Sequence, residues 1–142
     1  MKPIKFTVYG EPTAQGRPRG SVSSRGKVVM YDPAKSKDYK QYVSLVASQH
    51  KPKSMIEFPV SLTVKVFRPI PASWTKSKQR QAVEGVLRPV SKPDLSNYIK
   101  GVEDALEGVL LRNDSQVVDY GKSGKWYSDN PRIEIEICEV VV

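Results

Sequence analysis

Residues 92–114 read KPDLSNYIKGVEDALEGVLLRND. Leu95, Tyr98, Ile99, Val102, Leu106 and Val109 recur at helical spacing, which predicts a helix over residues 95–107 with one apolar stripe turned to a core. Pro93 fixes the approach of the chain, Asp94 stands at the N-cap and Gly108 at the C-cap. Ser96, Lys100, Glu103 and Glu107 fall opposite the stripe, with Asn97, Gly101 and Asp104 on a flank. The stretch holds five of the fifteen acidic residues of a chain whose net charge is +8. A basic protein that gathers its acids on one helix invites a chemical explanation.

Downstream, SQVVDYGKSGKWYSD reads as a strand with an irregular middle, and PRIEIEICEVVV alternates Ile133, Ile135 and Ile137 against Glu134 and Glu136 as a strand does. Upstream, the two prolines of VLRPVSKP require an extended or looped segment. SWTKSKQRQAVEG reads as a short polar helix capped by Ser73. FPVSLTVKVFRP is a strand that places Val60, Leu62, Val64 and Val66 on one face. In DPAKSKDYKQYVSLVASQH, Asp32 and Pro33 open a helix with Tyr39, Tyr42, Val43, Val46 and Ala47 at helical spacing. KVVMY is a short strand that can pair with residues 20–23 as a hairpin, and the Gly- and Pro-rich stretch before it is a loop. IKFTVYG is a half-buried strand at the start. This order of elements predicts one α+β domain with a mixed or antiparallel sheet.

The 142 residues suit one domain, and 39% are apolar, enough for a real core. No apolar run reaches the roughly 18 residues of a membrane helix. The first ten residues lack an apolar signal core, and Cys138 is a lone cysteine, so a cytoplasmic protein without an internal disulfide is expected. Residues 1–53 carry eleven Lys/Arg and three Asp/Glu, a net of +8, whereas residues 54–142 carry twelve of each. A basic half suits a polyanion such as nucleic acid, and it equally suits a solvated surface.

Taken singly, the polar residues of 92–114 have plain structural readings. Asp94 is a helix cap worth about 1 kcal/mol. Lys100 is half of a surface ion pair with Glu103 or Asp104, and RNDSQ is a turn. Together they suggest more. A carboxylate at an electropositive helix start stays ionised, and Asp114 at the entry of the next strand can face it if helix and strand pack as neighbours. Ionised carboxylates without His or Cys select a hard cation such as Mg²⁺. Beside DNA such an ion can activate water and neutralise a scissile phosphate, while a lysine farther along the helix contacts the phosphate. The lone His50 reads as solvated or capping, Cys138 as buried, and no phosphate-binding glycine loop is present.

These blocks resemble the RusA-type Holliday-junction resolvases, small phage and prophage endodeoxyribonucleases. The family pattern of Asp-x-Asp-Asn-x-x-Lys, Asp-Ala-Leu and Asp-Asp-x-Gln-Val/Ile appears here as Asp94-Leu95-Ser96-Asn97-Tyr98-Ile99-Lys100, Asp104-Ala105-Leu106 and Asn113-Asp114-Ser115-Gln116-Val117. The match is best over the C-terminal third. The resemblance implies a RusA-like fold, with helices on one side of the sheet. It implies a homodimer that binds four-way DNA junctions and nicks two strands symmetrically with Mg²⁺, in recombination and repair. It further implies that Asp94 and Asp114 are metal ligands and Lys100 a catalytic lysine. Ser96 stands where the pattern has its second aspartate, so a hydroxyl that can bond a metal-held water replaces a charged ligand; Asp104, Asp119 and Glu103 are the acids that could compensate, Asp119 if a bulge turns it towards Asp114. Asn113 replaces another acid. Arg17, Arg19, Arg25 and Lys27 on the basic loop, with Lys92 before the helix, are expected to bind DNA phosphates. Tyr31, Trp74 and Trp126 are core or rim aromatics that could also pack on an opened junction. Two other readings stand beside the nuclease: a junction-binding protein that has lost cleavage, with Ser96 as the mark of that loss, and a protein-interaction module with an incidental basic face.

Overall fold

The computed structural model describes residues 1–15, 19–22, 28–31 and 34–140. The chain runs β1 (Ile4–Tyr9), β2 (Arg19–Val22), β3 (Val28–Tyr31), α1 (Ala34–Ser48), β4 (Val60–Pro69), α2 (Lys76–Val83), α3 (Leu95–Leu106), β5 (Val117–Asp119), β6 (Gly124–Ser128) and β7 (Arg132–Glu139), with a 3-10 turn at Asp114–Gln116 before β5. The expectations for Arg17, Arg25, Lys27, Asp32 and Pro33 lie outside the described residues. Arg19 is placed by its backbone in β2, which forms with β3 the hairpin expected near residues 20–23.

Strand β4 is the spine of a mixed five-stranded sheet. One edge pairs antiparallel with β7, which pairs antiparallel with β1. The other edge carries β5 and then β6, both parallel to β4. The period of two sends alternate side chains to opposite faces. Val60, Leu62, Val64 and Val66 of β4 join Ile133, Ile135 and Ile137 of β7 and Val8 of β1 on one buried face. Helices α1 and α3 cover that face. Val43 and Ala47 come from α1, and Tyr98, Ile99, Val102, Ala105 and Leu106 from α3. The Ser44 hydroxyl donates to the Ala105 carbonyl at 2.7 Å and ties the two helices together. Lys5, Thr7, Thr63, Lys65, Glu134 and Glu136 alternate onto the opposite face and leave it polar.

The irregular middle expected between residues 115 and 129 is a break between β5 and β6. Within it the Ser123 hydroxyl accepts from Val64 N at 2.8 Å and supplies the acceptor that a continuous strand would have offered. Gly121 makes the turn at φ +48, and a Cβ there would collide with the Thr63 hydroxyl, so a side chain is excluded by both conformation and space.

Three expectations need correction. The cap of α2 is Thr75, whose hydroxyl accepts from Lys78 N at 3.2 Å, and not Ser73. Cys138 lies on the polar side of β7, half-buried, with its Sγ 3.1 Å from Glu136 Oε1. That hydrogen bond and partial burial push its thiol pKa up, which disfavours the nucleophilic thiolate. Glu103 was expected on the solvent side of the helix and is instead 9% exposed. His50 is exposed and stacks on Phe6 with ring centroids 5.2 Å apart, in keeping with a structural role.

Leu62 is fully buried, so Leu62→Ala should cost about 2–5 kcal/mol of unfolding free energy in chemical denaturation. Leu45 on α1 is 63% exposed, so Leu45→Ala should stay within about 0.5 kcal/mol of the parent.

Candidate functional site at the outer face of α3

Burial of one face of α3 fixes where the other points. Lys100 projects from the outer face, and its ammonium lies 3.4 Å from Asp104 Oδ1 one turn on and 3.5 Å from Asp114 Oδ2. The sequence left Glu103 and Asp104 as alternative partners; Asp104 takes the lysine and also meets Lys40 at 3.8 Å. The Asp104 charge, above all, raises the Lys100 pKa.

Asp114 reaches this place through a self-contained turn. The Asn113 side chain accepts from Ser115 N at 2.9 Å, and Gln116 Oε1 accepts from Asn113 N at 2.8 Å. Gln116 Nε2 then donates to the carbonyls of Ile56 and Phe58, at 2.8 and 3.1 Å, anchoring the turn to the segment before β4. Glu107 completes the mount by accepting from Asp114 N at 3.2 Å. RNDSQ is therefore a turn, as its composition suggests, and a turn that aims one carboxylate. Asn113 serves as its cap, so its place is structural.

Glu103 lies beside this group and accepts from the Tyr120 hydroxyl at 3.1 Å. Burial raises its pKa, partly opposed by the Tyr120 bond and the Lys100 charge. Nothing in a 3.6-residue pattern reveals this, because Tyr120 comes from the break after β5. Asp119, the other acid considered as a substitute for the charge missing at Ser96, is engaged elsewhere: it accepts from the Ser61 hydroxyl and, at 3.1 Å, from Gly121 N. The register does shift at Val60/Ser61, but Asp119 is spent on the sheet edge.

Asp94 occupies the N-cap in extended conformation, φ −68 and ψ 150, yet its side chain makes no cap hydrogen bond. A capping aspartate usually contributes about 1 kcal/mol through that bond. Here the first turn is closed by the Asp94 carbonyl, which accepts from Asn97 N at 3.1 Å, and the carboxylate is exposed and has no partner among the described residues. The rise of roughly 1.5 Å per residue sets Asp94 some two turns from Lys100 along the axis, with Ser96 between them one turn before the lysine. The structure thus brings Lys100 and Asp114 into contact, and leaves Asp94 and Ser96 at the helix start outside that contact network. Among the described residues no three His, Cys, Asp or Glu side chains are grouped to hold a metal.

The position of Asp94 is set from the sheet. Lys125 of β6, half-buried, donates to the Ser91 carbonyl at 3.2 Å and the Pro93 carbonyl at 3.1 Å. Arg68 NH1 donates to the same Ser91 carbonyl at 3.0 Å. Arg88 donates to the Lys125 carbonyl at 2.9 Å and covers the Trp126 ring at 4.2 Å. Trp126 stacks on Phe67 and Trp74 meets Tyr127 edge-on, so both tryptophans are packed. Lys125 and Arg68 were not singled out in the sequence, where a strand lysine and a strand arginine read as solvated.

A family model described as "Endodeoxyribonuclease RusA" matches residues 9–138. "Uncharacterized protein YqaN" of Bacillus subtilis (strain 168) is 59% identical over 142 residues, 99% of each chain. "Crossover junction endodeoxyribonuclease rusA" of Lactococcus phage r1t is 29% identical over 141 residues, 96% of this chain and 97% of its own.

Glu103 supplies a pH test. Its folded pKa lies above the ordinary 4.5, so in the window just above 4.5 the folded chain keeps a proton that the unfolded chain releases. The stability this gives is full below that window and is lost as pH rises through it. Unfolding free energies measured across the window should therefore fall with pH more steeply in the parent than in Glu103→Gln.

Proposed function

From the premise that the chain belongs to the RusA endodeoxyribonuclease family, we propose that it is a Mg²⁺-dependent, structure-selective endodeoxyribonuclease that resolves four-way DNA junctions by paired, symmetric nicks, acting as a homodimer. The observation that carries the reading is the contact between Lys100 and Asp114, fourteen residues apart, on the outer face of the helix that Asp94 begins. Two opposed nicks need two such sites, hence two chains.

The donors suit a hard cation. Asp94 offers a free carboxylate, Asp114 a second, and Ser96 a hydroxyl able to bond a coordinated water. Mg²⁺ needs only one or two carboxylates when waters and substrate phosphate fill its remaining positions, so the lack of a three-acid group among the described residues is compatible with it. When bound it would neutralise the scissile phosphate and acidify the attacking water. The chain's own part is placement. Asp114 holds the Lys100 ammonium on the side of the helix where the phosphate would lie. Asp104, 3.4 Å from that ammonium, limits its swing. Lys125 fixes the backbone that presents Asp94. Lys92, with Arg17, Arg19, Arg25 and Lys27 of the basic half, would grip neighbouring phosphates without regard to sequence.

A second reading, a junction-binding protein without cleavage, draws on the same lack of a three-acid group among the described residues and on Ser96 in place of an acid. The two separate in one assay. Nicking of a synthetic four-way junction with Mg²⁺ should fall by at least roughly 100-fold in Asp94→Asn, Asp114→Asn and Lys100→Met, with junction binding retained. Equal nicking by parent and variants would reject these residues as the site. Tight binding with no metal-stimulated nicking, and nicking gained in Ser96→Asp, would establish the second reading. Lys125→Met should lower nicking and raise the Mg²⁺ concentration for half-maximal rate, with Lys125→Arg partly restoring both.

A further inference from the structure

A cavity of about 480 Å³ opens beside the start of α3. Lys92 and Pro93, which precede Asp94, and Asn97 and Tyr98, which follow it, form one wall. The opposite wall is the segment of residues 11–15. That segment is tied to the helix: Gln15 N donates to the Asn97 carbonyl at 3.1 Å, and Gln15 runs past Gly101 at van der Waals distance.

Three cations from three separate elements face this space: Lys35 from the first turn of α1, Arg68 from β4 and Lys92 from the approach to α3. Glu11 is the single acid among its lining residues. Neither Lys35 nor Lys92 has a hydrogen-bond or ion-pair partner among the described residues. Converging like charges repel, and an anion placed among them relieves the repulsion. The rest of the lining is not that of a bare phosphate site. Pro12, Ala14 and the Tyr98 ring give it apolar surface. The side-chain oxygen of Gln15, another lining residue, is shielded from solvent and has no hydrogen-bond partner among the described residues. The volume falls within the ordinary range for a small organic ligand, roughly 300–1,000 Å³.

We infer that this cavity receives one nucleotide of an unpaired DNA strand, its phosphate among Lys35, Arg68 and Lys92 and its sugar against Pro12 and Tyr98. The inference rests on the proposed nuclease reading for its choice of DNA, and it adds the basis of structure selectivity. In a linear duplex the sugar is held against its base pair and cannot enter a recess between four protein elements. At a branch point a strand leaves the stack and its nucleotide is free to enter. The cavity adjoins Asp94, so the nucleotide it takes is the neighbour of the one cleaved.

The test measures binding of the full-length chain, in chelator, to a four-way junction, a single strand and a linear duplex. The variants are Lys35→Ala, Lys35→Glu and, as a control, Lys53→Glu beyond the far end of α1. Lys35 and Lys53 are both exposed, so the fold should hold in each. Lys35→Glu should weaken junction and single-strand binding at least about ten-fold while changing duplex binding no more than Lys53→Glu does, and Lys35→Ala should lower the salt slope for the junction by about one. Equal losses on junction and duplex, matching the control, would overturn the inference. Parent nicking of the junction is measured in parallel. Intact nicking with no selective effect of Lys35 defeats the cavity alone, and a selective effect in a chain that never nicks defeats the nuclease reading alone.

Discussion

Helix α3 works because its two faces are under different obligations. Val102, Ala105 and Leu106 are committed to the sheet core, which leaves the helix no rotational freedom. Once that face is fixed, Lys100 and Asp104 have one direction to point. The Gln116 anchor then brings Asp114 to the same place from the next segment. The site therefore inherits its precision from apolar packing, and its polar contacts are too exposed and too weak to have assembled it unaided.

Much of this could be read in advance, for a physical reason. The periods of two and 3.6 that bury β4, β7 and α3 are written locally, so Val60 to Val66, Ile133 to Ile137 and the α3 stripe were all found. The parallel placement of β5 and β6 on β4 was not. It depends on a break whose cause is the fit of Gly121 against Thr63, a tertiary contact with no local sign. The site shows the same division. Asp94, Lys100 and Asp114 stood out as a spaced set, and two of them meet. The residues that hold them in position did not stand out. Lys125, Arg68 and Tyr120 are ordinary strand or loop residues until the chain folds. Glu103 was misread for a related reason: a helical wheel shows which side is turned from the core, but not that Tyr120 would return to cover it.

The electrostatics of the chain follow from that geometry. The acids of α3 are not scattered through the basic surface. They are gathered behind a lysine, and one of them is pushed towards its neutral form by being covered. Lys35, Arg68 and Lys92 line the cavity beside the helix start. On the proposed reading, a negatively charged backbone laid across α3 would meet Lys100 on its outer face and Lys92 beside its start.

The four residues between β5 and β6 carry one more implication. On one side of the break Tyr120 must reach Glu103, and on the other Lys125 must reach the Pro93 carbonyl. Successive residues of a strand face opposite ways, so adding or removing a single residue there would swap Lys125 with Trp126 and detach the start of α3 from the sheet. Length variation among relatives should thus be tolerated in the connection between α2 and the approach to α3, and purged from this short break. An insertion of one amino acid there would be more damaging than most substitutions in the core.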